Sequence, residues 1–442
     1  MANNLVRSLG LVSAVALIPA ATAALASVDV NTYKELDQFM SVFERVRSEY
    51  VEQVDDKTLL RGAIDGMLAS LDPHSGYLDE RGFQALMTNT EGEYGGLGLN
   101  VTMEDEVVKV IAATEDTPAA RAGIKAGDYI THLNGKLIYG GTLDEAVDQM
   151  RGKPGTQIRL TIVRPGRDKP FDVTITRAII ELPAVKWEIK DRIGIINVNT
   201  FSKVTTSSTL AAIASIEKSL GGKPLGYILD LRSNPGGLLD QAVGLSDVFL
   251  ERGEVVSQRG RSKSDIERFY ARPGDAADGL PVIVLVDAGS ASAAEIVAGA
   301  LQEHHRAIVM GERTFGKGSV QTLLPLSQKT ALRLTTARYY TPSGRSVQEG
   351  GITPDIRVPQ LSDPDYRTRT RVRESDLRRH LVNVANVKDD ILQDDGKPDP
   401  RFAATAEELK KKGIEDFQLH YALQTLARLG KTQTAAAAPR SR

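Results

Sequence analysis

Ser292 and Lys317 are of types, and stand in settings, that could do chemistry. Ser292 lies in Asp287-Ala288-Gly289-Ser290-Ala291-Ser292-Ala293-Ala294-Glu295, directly after the apolar run 281–286 and at the head of a helix-like stretch. Strand, tight turn and helix N-terminus succeed one another there. A hydroxyl is thereby lifted above the sheet edge, and the unpaired N–H groups of the first helical turn can stabilise negative charge. Lys317 follows a second strand, in Gly311-Glu312-Arg313-Thr314-Phe315-Gly316-Lys317-Gly318-Ser319-Val320-Gln321. Glycine and apolar neighbours lower a lysine pKa by desolvation, and a neutral lysine can take a proton from serine. The chemistry implied is acyl transfer by a Ser–Lys pair.

Other chemistries compete for the same residues. Ser290 is placed as a helix N-cap, with its hydroxyl accepting an N–H two or three residues on, which puts Ser292 inside the first turn. Gly311-x-x-x-x-Gly316-Lys317 after an apolar strand approaches a phosphate-binding loop, but glycine occupies position 318, where a serine or threonine is required. A Ser–His–Asp arrangement would need one of His74, His132, His304, His305, His380 or His420. His304 and His305 fall about three helical turns beyond Ser292, too far to reach its hydroxyl.

The elements that must position these residues follow from hydrophobic periodicity. Residues 33–50 and 59–71 read as helices, the second ending in the turn signal Asp72-Pro73-His74-Ser75. Short β-type runs at 107–111, 129–133, 157–163 and 171–175, with a helix at 143–150, predict a small partly open barrel. It opens on Gly95-Gly96-Leu97-Gly98-Leu99, whose freed N–H groups could cradle a carboxylate beside a strand edge that accepts an extended peptide. A plain glycine turn is the alternative. From 187 onward strands (193–198, 226–231, 281–286, 307–310) alternate with helices (207–220, 238–249, 292–302), which predicts an α/β layer with a largely parallel sheet. Its ligand crevice should lie beyond the carboxyl ends of the strands, where three glycine-rich loops converge. Residues 363–373 and 389–400 read as charged linker. A single helix at 406–429 is expected to serve assembly, and 432–442 to be a disordered tail.

Composition narrows the function classes. At 442 residues the chain exceeds one core, and a net charge of −2 gives no reason to expect a nucleic-acid partner. The absence of cysteine excludes disulfides, thiolate metal sites and a cysteine nucleophile. A basic start, an apolar run at 9–21 and Ala24-Leu25-Ala26 read as a secretory signal peptide cleaved near Ala26, a retained anchor being the alternative. The run is shorter than the ~20 residues of a spanning helix, so the mature protein is not expected to be integral to the membrane.

With these residues in hand, the chain resembles the carboxyl-terminal processing peptidases, periplasmic or lumenal serine endopeptidases with an embedded PDZ domain. The resemblance covers nearly everything from Tyr33 to Pro359. It is carried by Leu68-Ala69-Ser70-Leu71-Asp72-Pro73-His74-Ser75, Asp230-Leu231-Arg232-Ser233-Asn234-Pro235-Gly236-Gly237, the Ser292 and Lys317 motifs, Tyr339-Tyr340-Thr341-Pro342-Ser343-Gly344-Arg345 and Gly351-Ile352-Thr353-Pro354-Asp355. Alanine stands at 294 where the family commonly has serine.

The resemblance implies a ClpP/crotonase-like α/β protease core with an inserted PDZ domain and helical N- and C-terminal regions. The expected parts are a signal peptide (1–26), a helical region (27–90), a PDZ domain (91–180), the core (181–360) and a C-terminal part (361–442). It implies Ser292 as nucleophile, Lys317 as general base and Gln321 as the residue that orients the lysine. The oxyanion hole falls to the N–H of Ala293 and one from Gly236 or Gly237. Gly95–Leu99 become the carboxylate-binding loop. Leu97, Leu99, Leu143 and Val147 become contacts for an apolar C-terminal side chain, though each could equally be core. Arg151 is a candidate link between the PDZ groove and the catalytic site. The expected partners are proteins with apolar C-termini, a lipoprotein adaptor and further copies of the chain, in the periplasm and without metal or cofactor. The rival is a non-catalytic PDZ scaffold, which would have no need to keep Ser292, Lys317 and Gln321 together.

Overall fold

The computed structural model describes residues 30–366, 368–383 and 401–437. The signal-peptide segment and the linker 389–400 lie outside these. The chain divides into two compact units, 1–64 and 65–442. The described part of the first holds α1 (Val30–Glu49) and the beginning of α2 (Asp56–Ala69). On α1, Tyr33, Leu36 and Met40 are exposed.

The second unit opens with the short strand β1 (Gly76–Leu78) and α3 (Glu80–Glu91). Asp79 caps α3 by accepting the Gly82 N–H, and Gly92, left-handed at φ 78°, ends it. No residue of α3 is fully buried, and the sequence reading passed over it.

The barrel-like lobe follows. A ribbon of β2 (Glu93–Gly96) and β9 (Ala178–Glu181) forms its base. Between them run β3 (Leu99–Glu104), β4 (Val107–Ala113), α4 (Pro118–Arg121), β5 (Tyr129–Leu133), β6 (Lys136–Leu137), α5 (Leu143–Met150), β7 (Gln157–Val163) and β8 (Phe171–Thr176). The sheet order is β3-β4-β5-β7-β8, with β6 on β5 and every pairing antiparallel. On β7, Ile158, Leu160 and Ile162 are buried while Gln157 and Arg159 are exposed, the two-residue period of a strand with one face inward. A capping box between Thr142 and Glu145 starts α5.

The predicted α/β layer comprises β10 (Val185–Lys190), β11 (Ile193–Val198), α6 (Thr205–Leu220), β12 (Tyr227–Asp230), α7 (Leu239–Asp247), β13 (Gly253–Arg259), β14 (Ile266–Ala271), β15 (Val282–Val286), α8 (Ala293–Glu303), β16 (Ile308–Gly311), β17 (Ser319–Pro325), β18 (Ala331–Tyr340) and β19 (Ile356–Arg357). One sheet has the order β10-β11-β12-β15-β16-β19, parallel except at β10/β11. A second, antiparallel sheet runs β1-β18-β13-β14, with β17 also pairing β18. It was not foreseen.

The C-terminal region is broken where the spacing reads as one continuous helix over 406–429. Two helices, α9 (Ala406–Lys411) and α10 (Phe417–Ala437), are separated by a turn at Gly413. Leu409, Ala422 and Leu426 pack with Ile195, Ile228, Ile283 and Met310 and cover one face of the parallel sheet. The opposite face is covered by α6, α7 and α8. Helix α10 also runs on to Ala437, into the stretch expected to be disordered.

Candidate active site

Three loops meet at the carboxyl ends of β12, β15 and β16, and buried polar side chains fasten them together. The Asp287 carboxylate accepts the N–H groups of Ser233 and Gly289 at 2.8 and 2.9 Å. Ser290 Oγ donates to the Leu231 carbonyl and accepts the Asp287 N–H. Ser290 therefore welds the turn to β12 and does not cap α8 as expected. Asn234 reaches back to the Val198 carbonyl, and its own carbonyl takes the Ala291 N–H.

Ser292 is the residue just before α8, with φ 54° and ψ −112°. A non-glycine residue in that region is strained, and such strain at a strand-to-helix turn thrusts the side chain outward. Gly236, at φ 98°, lies so close that an added Cβ would stand 2.9 Å from Ser292 Cβ and 3.0 Å from the Ala293 nitrogen. The Gly236 N–H is occupied by Asn234 Oδ1 at 2.8 Å. The N–H groups of Gly237 and Ala293 make no backbone hydrogen bond among the described residues.

The sequence reading gave no role to Glu295, which proves central. It is fully buried, and its Oε2 accepts the Ser292 N–H at 2.8 Å and the Lys317 N–H at 2.9 Å. Its Oε1 accepts the Gly316 N–H and the Thr314 hydroxyl. One carboxylate oxygen thus joins the backbones of Ser292 and Lys317, so their nitrogens are no farther apart than two hydrogen bonds end to end. Burial pushes the Glu295 carboxyl up to about 7, against the pull of these four donors. Its only signal in the sequence is an acidic residue three places after a serine, which reads as an ordinary capping box.

Burial, reinforced by Arg333, draws the Lys317 amine below the ordinary lysine value, and Glu374, Glu295 and Asp72 oppose this. The predicted desolvated lysine is present. Among the described residues its ammonium nitrogen makes no hydrogen bond, with Ser292 Oγ or any other group. Gln321 sits on β17 and donates to Ser319 Oγ at 2.9 Å and Thr335 Oγ1 at 3.4 Å, and no bond joins it to Lys317. Thr335 Oγ1 in turn donates to Asp72, whose carboxylate also organises the turn after α2 through His74 and Ser75. His304 bonds the Glu254 carbonyl at the far end of α8, as a structural histidine would. A cavity of about 790 Å³ opens beside the strand ends, lined by Asn197, Arg232, Asp287 and Arg371, but neither Ser292 nor Lys317 lines it.

In the barrel-like lobe the five residues of the glycine-rich opening divide. Gly95 and Gly96 belong to β2, and a Cβ on Gly95 would meet the Gly152 carbonyl oxygen at 2.1 Å. Between β2 and β3 the N–H groups of Leu97 and Gly98 make no backbone hydrogen bond among the described residues, while their carbonyls take Ala119 N–H and Thr114 N–H. Leu97 is core, at 3% exposed; Leu99, Leu143 and Val147 are partly buried at its margin. Arg151 follows α5, its guanidinium 5.0 Å from the Tyr94 ring centroid and its buried Nε without a partner. Arg177 was missed by sequence. It is buried and donates to the Gln149 and Met150 carbonyls, which end α5.

Comparison with known proteins finds family matches in three stretches of the chain. Residues 192–358 match peptidase family S41, 109–164 a PDZ domain and 17–82 the N-terminal domain of the activating protease CtpB. The chain is 51% identical to a carboxy-terminal-processing protease of Bartonella bacilliformis, over 84% of this chain and 86% of that one. It is 37% identical to the carboxy-terminal processing protease CtpA of Bacillus subtilis, over 75% of this chain and 70% of that one. Among solved structures, a photosystem II D1 C-terminal processing protease is 27% identical, covering 75% of this chain and 94% of its own, at a TM-score of 0.43.

Proposed function

The chain belongs to the carboxy-terminal-processing serine proteases of peptidase family S41 and carries a PDZ domain, and on that premise we propose that it is a Ser–Lys endopeptidase acting on extracytoplasmic proteins captured by their C-terminal tails. Ser292 is the nucleophile and Lys317 the general base. Neutral Lys317 takes the hydroxyl proton as Ser292 attacks the scissile carbonyl, then returns it to the leaving amine, and water resolves the acyl-enzyme. The N–H groups of Ala293 and Gly237 receive the oxyanion; Gly237 is preferred because the Gly236 N–H is held by Asn234. Gln321 orients the amine once the amine has swung toward the hydroxyl.

Tail capture falls to the free N–H groups of Leu97 and Gly98, with Leu99, Leu143 and Val147 beside an apolar terminal side chain. Arg151, whose guanidinium lies 5.0 Å from the Tyr94 ring centroid, couples the groove's occupancy to the catalytic loops. The signal peptide 1–26 directs the protein to the periplasm, where a lipoprotein adaptor and further copies of the chain are the expected partners. Among the described residues no helix is long and apolar enough to cross a membrane. The assigned parts are 27–90, 91–180, 181–360 and 361–442.

The observation that carries this reading is the shared Glu295 oxygen, which gives the nucleophile and the base one common anchor. A binding scaffold has no use for that arrangement. Ser292→Ala and Lys317→Ala should each reduce cleavage of a peptide with an apolar C-terminus by at least about a thousandfold, with unfolding transitions unchanged. Turnover persisting in either variant removes that residue from the mechanism.

A further inference from the structure

We propose that Glu374, in the segment 371–383 beyond the protease core, is a positioning residue that holds the loop carrying Lys317. The inference rests on Lys317 being the base. Glu374 is fully buried and makes no bond to the lysine itself. Its carboxylate lies 2.8 Å (Oε2) and 3.0 Å (Oε1) from His74 Nε2. Oε1 also accepts Gln348 Nε2 at 2.9 Å, and Oε1 of the equally buried Gln348 accepts the Gly318 N–H at 2.9 Å. From the same segment the Glu374 N–H donates to the Phe315 carbonyl, and Arg373 Nη1 donates to the Arg313 and Thr314 carbonyls.

The loop that carries the base is therefore held from two sides. Glu295 takes its N–H groups at 316 and 317, while residues 373–374 take its carbonyls and, through Gln348, the next N–H at 318. There is no slack at Gly318, where a Cβ would stand 2.5 Å from the Gln348 nitrogen. A displaced Glu374 would release Gln348 and with it the peptide following Lys317.

The charges that act on the amine are Arg333, which favours loss of its proton, and Glu374, Glu295 and Asp72, which oppose it. Glu295 is engaged by four donors, Asp72 by His74, Ser75 and Thr335, and Arg333 by the His74 carbonyl. Of the three carboxylates, Glu374 opposes the loss of the lysine's proton most strongly. It keeps the amine basic enough to draw a proton from serine while burial keeps it neutral enough to do so.

The test is kcat/KM against pH for the full chain on a short peptide substrate, in Glu374→Gln and Gln348→Ala. Glu374→Gln keeps the shape and removes the charge. Its acid limb should move to lower pH by about half a unit or more. Gln348→Ala keeps the charge and breaks the link to Gly318. It should lower kcat about tenfold with KM and the acid limb unchanged. An unmoved or upward-moving limb in Glu374→Gln overturns the electrostatic part, and wild-type kcat in Gln348→Ala overturns the positioning part. Lys317→Ala separates the two levels. If it is active, the base assignment itself fails; if it is inactive while both other variants behave as wild type, only the role of Glu374 fails.

Discussion

The loop between β2 and β3 and the crevice beside Ser292 both leave backbone N–H groups without a backbone acceptor among the described residues, yet they are built in opposite ways. At the loop, Leu97 and Gly98 are consecutive, and a single turn between two strands frees their N–H groups. At the crevice, the free N–H groups of Gly237 and Ala293 come from segments fifty-odd residues apart. They keep their places only because Asn234, Asp287, Ser290 and Glu295 sew the turns together. Recognition needs one local conformation. Catalysis needs several distant pieces held to a fraction of an ångström, and it is built with buried carboxylates that hold backbone.

The sharpest way to break that contrast is Glu295→Gln. All four partners of Glu295 are donors, two on each oxygen, so the new amide NH2 has to face two of them, and buried donors lose their acceptor. We expect kcat/KM to fall on the order of a hundredfold and unfolding free energy to fall on the order of 3 kcal/mol, read by urea titration. Tail-peptide affinity of the PDZ lobe should not change. A stable, active variant would show that the crevice needs no such clamp.

The second measurement is pH. Because burial and Arg333 hold the Lys317 amine below its usual value, the neutral base is reached below the pH at which an exposed lysine loses its proton. Peptide cleavage should climb with pH, about tenfold per unit, and level off once that lowered pKa is passed. Tail binding to the free N–H groups should stay level over the same range. A binding curve that climbs with cleavage would place the titrating group in recognition instead.

The mildest perturbation is Gly98→Ala. Gly98 has φ 78°, and an added Cβ would lie 2.3 Å from Thr117 Cβ, so the loop must distort. Tail affinity, measured by calorimetry, should weaken roughly tenfold, while cleavage of a short peptide that bypasses the groove stays within about twofold. Equal losses in both would mean that the two regions do not work separately.

The same contrast explains what could be read from the sequence. The strands 193–198 and 282–286 are almost wholly apolar and were placed within a residue of their ends, because a strand covered on both faces has no choice of composition. Ser292, Lys317 and the glycines near them were recognisable because their backbone demands are local. The second sheet was not. Its strands β14 and β18 carry exposed or half-exposed Arg, Glu and Thr, and their pairing is set by partners up to about 260 residues away, as between β1 and β18. The structural roles of Glu295 and Glu374 were invisible for a related reason. A carboxylate near a helix start or in a charged stretch looks solvated until the fold closes over it.

The contact between His74 and Glu374 spans 300 residues of chain. Synthesis runs from the amino end, so Ser292 and Lys317 both emerge before Glu374 exists. A nascent or truncated polypeptide that ended ahead of it would possess the reactive pair without its second restraint.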